Sequence, residues 1–194
     1  KRLFDLVFGF LILVFFLPVL LIIGVVIKID SKGPIMFRQV RVTQYGRQFR
    51  IFKFRTMVKA AEKIGAPITV KDDSRITKLG KILRKYRIDE FPQILNIISG
   101  DMSFVGTRPE VPKYVERYTD EMKATLLLPA GVTSEASVEF KDEEEILTNA
   151  EDVDALYLEV VLPKKMKINL QSIEYFGFST ELKVLARTVW AMVK

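Results

Sequence analysis

The 194-residue sequence predicts an α+β fold that is predominantly helical. Three observations carry that expectation. An uncharged apolar run fills residues 6–27, apolar and basic residues alternate through 35–55, and apolar residues recur at three- and four-residue steps from Ile76 to Tyr86. These patterns belong to a membrane-active helix, a small β-hairpin and an amphipathic helix. They divide the chain into a membrane helix, residues 1–27, and one folded domain, residues 28–194.

The apolar run has 22 residues, roughly 33 Å of helix and enough to reach across a hydrocarbon core. Three structures fit that length: a cleaved signal peptide, a spanning helix, and a re-entrant or interfacial hairpin. Pro18 removes the N–H that would bond the Val14 carbonyl and crowds that carbonyl, so a kink is expected there. The two arms would be roughly 18 and 14 Å long. Lys1 and Arg2 on one side and Lys28 on the other leave the charge rule for orientation undecided.

In the hairpin, Tyr45 and Gly46 interrupt the alternation and mark the turn. Residues 59–74, with Gly65, Pro67, Asp72, Asp73 and Ser74, read as a loop. The amphipathic helix that follows is flanked by Lys78, Lys81, Arg84, Lys85 and Arg87. It suits either a surface helix packed on the core or an interfacial helix in a headgroup layer. Asp89 reads as the N-cap of the next helix, Pro92 as a first-turn residue and Gly100 as its terminator. A cap and a first-turn acid are sufficient local explanations of Asp89 and Glu90. Residues 101–112 read as a loop, and the acidic run 142–145 as a solvated helix face. Ser179 is the expected cap of a last helix with Leu182, Leu185, Val189 and Trp190 on one face.

Composition narrows the chemistry. The chain has no Cys and no His, which excludes disulfides, thiolate nucleophiles, the usual zinc sites and His-dependent triads. Mean hydropathy is positive (+0.17) although 28% of residues are charged, so the apolar residues must be concentrated in one place. Residues 28–118 hold 20 basic and nine acidic side chains, and residues 119–194 hold eight and 14. A basic half directly after an apolar helix suits anionic headgroups, a phosphorylated substrate, or both. No nucleic-acid-binding motif is present, so no nucleic-acid partner is expected.

Lys53, Arg55, Arg84 and Arg108 lie near expected turns or element ends. Such side chains can neutralise a diphosphate. A carboxylate can attack phosphorus to form an acyl phosphate, provided cations offset the repulsion between anions. Magnesium held by one or two carboxylates and the substrate's own phosphates is the usual device.

Six segments carry a closer resemblance: KRLFDL before the apolar run, GPIMFRQ (33–39), FKFRTM (52–57), DSRITKLGKILR (73–84), IDEFPQILNIISGDMSFVGTRPE (88–110) and GVTS (131–134). Together, and in this order, they resemble the bacterial monotopic phosphoglycosyl transferases, in their minimal catalytic form. The resemblance implies transfer of a sugar 1-phosphate from a UDP-sugar to polyprenyl phosphate, with release of UMP. It makes Asp89 the nucleophile and magnesium ligand and Glu90 its catalytic partner. It further implies phosphate or substrate binding by Arg84, Gln93 and the Arg108-Pro109-Glu110 stretch, joining Lys53 and Arg55 in that role. The cap position of Asp89 would keep the nucleophile ionised.

The same resemblance makes the apolar run a re-entrant helix kinked at Pro18, entering and leaving on the cytoplasmic face of the bacterial inner membrane. The family often has Ser where this chain has Leu17, and a basic residue with Pro-Gly where it has Pro129, Ala130 and Gly131. A later basic residue of the family has no clear match near Lys141. Two other readings use the same residues: a non-catalytic protein binding anionic lipid, and a nucleotide-sugar hydrolase. Sugar, glycan pathway and oligomeric state are left open, a homodimer included.

Overall fold

The structure, a computed structural model, describes residues 1–59, 61, 73–148, 150, 152–175 and 177–193. Most of the expected loop over 59–74 lies outside these residues.

Helix α1 spans Arg2–Asp30 with Pro18 inside it, so the residues on both sides of the expected kink are helical. Its 29 residues extend for about 43 Å at helical rise. Asp5, Gly9, Ile12, Phe16, Leu20, Ile23 and Ile27 form a buried or half-buried stripe at three- and four-residue steps. That stripe meets the folded domain along the whole helix. Phe4 packs on Phe104, Gly9 faces Ile97 and Ile98, Phe16 packs on Phe91, and Ile27 joins Phe54 and Leu83 in a core. The opposite face is apolar and exposed, with Phe15 77% and Ile22 63% accessible.

Polar contacts fasten both ends of α1. Lys1 Nζ donates to the Val105 carbonyl (2.9 Å), and Arg2 donates to the carbonyls of Ile97 and Ile98. Asp5 accepts from Ser103 Oγ (3.1 Å) and the Phe104 N–H (3.3 Å). At the far end Arg55 donates to the carbonyls of Ile27 (3.3 Å) and Ser31 (2.6 Å). This satisfies acceptors that a helix C-terminus otherwise leaves open.

The hairpin forms as expected. Strands β1 (Met36–Val42) and β2 (Gln48–Phe54) pair antiparallel, with Met36 opposite Phe54 and Val42 opposite Gln48. Helix α2 (Lys78–Lys85) begins after Thr77, whose hydroxyl accepts from the Gly80 N–H (2.9 Å). Gly80 is required here, because a Cβ would stand 2.1 Å from the Thr56 carbonyl oxygen. Leu83 is buried while Ile82 and Tyr86 are exposed, so α2 both packs on the core and presents apolar side chains outward.

The next helix departs from expectation at its start. A 3-10 segment, Ile88–Gln93, precedes α3 (Ile94–Ser99), and the residue in the cap position is Arg87. Asp89 is therefore a first-turn residue and caps nothing. Arg87 has a left-handed backbone (φ 52°), a conformation that costs a non-glycine residue about 1 kcal/mol. Gly100 (φ 88°) ends α3 as expected. Asn96 ties α3 to the hairpin, accepting from the Phe52 N–H (2.8 Å) and donating to the Arg50 carbonyl (3.0 Å).

Residues 101–112 are not all loop. Strand β3 (Met102–Val105) pairs in parallel with β4 (Ala130–Thr133), Ser103 lying opposite Gly131. Gly106 and Gly131 let the two backbones touch: a Cβ on Gly131 would stand 2.1 Å from the Gly106 nitrogen. The remaining elements are α4 (Pro112–Val115), α5 (Asp120–Lys123), α6 (Glu135–Glu139), α7 (Glu143–Leu147), α8 (Val153–Leu156), α9 (Leu162–Glu174) and α10 (Phe178–Val193). A π-helical turn, Tyr157–Val161, joins α8 to α9. Tyr114, Tyr118, Leu147, Tyr157, Leu162 and Met166 form the core of this half. Ser179 lies inside α10 and does not precede it. Among the described residues of α10, Val184 is buried and Leu185 half-buried, while Leu182, Val189 and Trp190 are exposed, so of the two readings of this face, core packing and interfacial contact, most of it is left outward.

Candidate active site

Lys53, Arg84, Asp89, Glu90, Arg108, Pro109 and Glu110 line one cleft of about 750 Å³. They arrive on four pieces of the fold. Lys53 stands near the end of β2, Arg84 in the last turn of α2 and the carboxylate pair on the 3-10 segment. The Arg108-Pro109-Glu110 stretch follows the Gly106–Gly131 backbone contact, which fixes where the chain leaves β3. Arg41, Tyr157, Lys165, Glu143 and Glu144 complete the walls.

The two adjacent carboxylates differ sharply. Glu90 accepts from Lys53 Nζ (2.8 Å) and pairs with Arg108 through both terminal guanidinium nitrogens. Burial alone would raise its pKa, but Arg108 and Lys53 outweigh burial and hold it well below the usual carboxylate range. Asp89 is 7% exposed and accepts no hydrogen bond from any described residue. Burial pushes its pKa up to about 6, opposed by Lys53 and reinforced by the charge on Glu90. The helix start is expected to keep Asp89 ionised; desolvation opposes this and moves its pKa upward. A carboxylate titrating near 6 is mostly ionised at neutral pH and more basic than an ordinary aspartate.

Charge around the pair favours an anionic ligand. Nine basic and five acidic side chains line the cleft. Glu110 forms a buried network with the Tyr157 hydroxyl, which donates to it, and with Arg41 (3.8 Å) and Lys165 (3.9 Å). Burial first, and then Glu110, raises the Tyr157 pKa, so its proton stays in place at neutral pH.

Arg55 and Gln93 do not line the cleft. Arg55 anchors the end of α1, and Gln93 is buried with its Nε2 unbonded among the described residues. The local sequence gave no sign of Arg41, Tyr157 or Lys165. The acidic run 142–145 was read as solvated, yet Glu143 binds Lys165 Nζ (2.7 Å) and Glu144 pairs with Arg84.

No group of three or more acidic side chains among the described residues forms a metal cage. Asp89, with no protein donor on it, fits the mode in which one carboxylate and the ligand's phosphates share a magnesium ion.

A buried carboxylate with no described donor on it, in a basic cleft beside an exposed apolar helix, suits a phosphorylated ligand next to an apolar phase. The chain matches the bacterial sugar transferase family over residues 1–194 and belongs to it. It is 43% identical over 122 residues to the UDP-N-acetylgalactosamine-undecaprenyl-phosphate N-acetylgalactosaminephosphotransferase of Aeromonas hydrophila, covering 63% of this chain and 29% of that one. It is 32% identical to the UDP-glucose:undecaprenyl-phosphate glucose-1-phosphate transferase of Klebsiella pneumoniae, over 98% of this chain and 39% of that one. It is 31% identical to the uncharacterized sugar transferase EpsL of Bacillus subtilis, over 97% of this chain and 85% of that one. The chain thus spans less than half the length of the first two relatives.

Proposed function

We propose that the chain transfers a sugar 1-phosphate from a UDP-sugar to a polyprenyl phosphate, with Asp89 as nucleophile. The observation that carries this reading is the contrast within the carboxylate pair. Glu90 is committed to Lys53 and Arg108, whereas Asp89 faces the cleft with no described donor on it. The names of the Aeromonas and Klebsiella relatives specify UDP-sugars and undecaprenyl phosphate, which supports the same substrate classes here.

The Asp89 carboxylate attacks the β-phosphorus, forming an O–P bond. The bond from that phosphorus to the bridging oxygen breaks, and UMP leaves with the electron pair. A polyprenyl phosphate oxygen then attacks the same phosphorus. Polyprenyl-diphosphate sugar is released and the Asp89 carboxylate is restored. Glu90 keeps Lys53 and Arg108 oriented beside the reacting phosphate, where their charge offsets the repulsion between anions. Magnesium on Asp89 and the diphosphate would supply further neutralisation of the leaving group.

The seating of α1 supports a monotopic arrangement on the cytoplasmic face of the bacterial inner membrane. A spanning α1 would carry the charged domain packed along its length into the hydrocarbon, where unpaired charge is costly. With α1 lying in or re-entering one leaflet, its exposed apolar face meets lipid and the basic cleft meets headgroups. Magnesium-dependent UMP release from a panel of UDP-sugars, with and without undecaprenyl phosphate, tests the reaction. Asp89→Asn is expected to abolish release while the protein stays folded. Turnover with water as sole acceptor would identify a hydrolase instead.

A further inference from the structure

Four of the cations that line the cleft are paired with acids in two different ways. Lys53 and Arg108 both bind Glu90, whose side chain is only 12% exposed. Withdrawing either would strand a buried charge. Arg84 and Lys165 bind Glu144 and Glu143, neighbours on α7 whose side chains are 47% and 24% exposed. Glu144 can return to water at small cost, so its ion pair yields readily to a competing anion; the Glu143–Lys165 pair is more buried and yields to a ligand that restores negative charge beside Lys165. The two cations come from separate elements, α2 and α9, and α7 links them across the cleft. Lys165 also keeps fixed neighbours: the Tyr157 hydroxyl lies 3.3 Å from its Nζ and Glu110 3.9 Å. It therefore stays aimed into the cleft when Glu143 departs.

We propose that Arg84 and Lys165 form an exchangeable oxyanion-binding pair, and that Glu143 and Glu144 stand in for phosphate charge until a ligand displaces them. This rests on the reading of the cleft as a site for phosphorylated substrates. It makes Lys165 a ligand-binding residue and gives α7 an autoinhibitory contact. Phosphate oxygens are the shared chemistry, carried either by the diphosphate of a nucleotide or by a lipid phosphate.

Binding of UDP, and separately of a short-chain polyprenyl phosphate, by the full chain in nanodiscs tests this. Glu143→Gln/Glu144→Gln should bind at least one probe about three- to tenfold tighter, since two competing anions are removed. Lys165→Met should bind that probe more weakly, and Glu143→Gln should change nothing further in the Lys165→Met background. Tightening toward UDP assigns the pair to the donor diphosphate; tightening confined to the lipid probe assigns it to the acceptor. Unchanged or weaker affinity for both probes in a folded double variant overturns the proposal. Glu144→Gln alone, at the more exposed position, keeps the test available if the double variant unfolds, with the same tightening expected and the same null result contradicting it. Wild-type UMP release is scored separately. Tightened binding without UMP release removes the transferase reading alone, and UMP release with unaltered binding removes this inference alone.

Discussion

Asp89 and Glu90 are neighbours in the chain with opposite electrostatic fates. Paired cations hold Glu90 ionised, whereas burial moves Asp89 up to about 6. A nucleophile must be deprotonated, so transfer should lose activity as pH falls through 6, by about tenfold per unit well below it. Lys53 lowers the Asp89 pKa, so Lys53→Met should move that acidic limb to higher pH in a single-turnover pH profile. The same shift makes a stability prediction. Because the folded-state value lies above 3.8, ionising Asp89 costs folding free energy. That cost is absent below about pH 4 and complete above about pH 6, amounting to roughly 3 kcal/mol at most. Asp89→Asn should therefore raise the melting temperature at pH 8 and much less at pH 4. The residue types at the site were readable from the sequence, since an acid pair and nearby arginines suit phosphate chemistry. The asymmetry was not, because it depends on which carboxylate the fold brings to Lys53 and Arg108.

At the scale of elements, periodic patterns were legible and contacts between distant segments were not. The hairpin and α2 follow from alternation and from three- and four-residue steps. Strands β3 and β4 have four residues each and pair across the sequence, so neither carries a local signal. A charge run such as 142–145 predicts a solvated face, but the partners of Glu143 and Glu144, Lys165 and Arg84, lie far away in the chain. The charge and position of Arg55 suit a phosphate ligand, but the fold buries it away from the cleft, with Nη2 on the carbonyls of Ile27 and Ser31 and with Nε and Nη1 unbonded among the described residues. Arg55→Met should thus lower the melting temperature and leave the UDP-sugar KM nearly unchanged, by thermal melts and steady-state kinetics. Asn96 replaces a backbone partner for β2, so Asn96→Ala leaves the Phe52 N–H unpaired. A loss of about 1–3 kcal/mol is expected in denaturant unfolding.

For the whole molecule, the main feature is a charged domain packed along a helix whose opposite face is apolar and exposed. The buried stripe of α1 runs from Asp5 to Ile27, so the helix is packed on the domain along its length. Phe16 packs on Phe91 within the 3-10 segment that carries the carboxylate pair, which places the helix directly against the wall of the cleft. Lys1 and Lys28 should both react with a membrane-impermeant reagent from the cytoplasmic side; labelling of Lys1 only from outside would mean a spanning helix. The chain's lack of Cys and His is consistent with this chemistry, because a carboxylate nucleophile among arginines and lysines needs neither. The most direct test of that chemistry is mass spectrometry of the protein after reaction with its UDP-sugar and magnesium, without polyprenyl phosphate. The account predicts one phosphosugar on the peptide containing Asp89, with UMP released in equal amount, and its removal when polyprenyl phosphate is added. Efficient turnover with no adduct, or with the adduct on another residue, would contradict it.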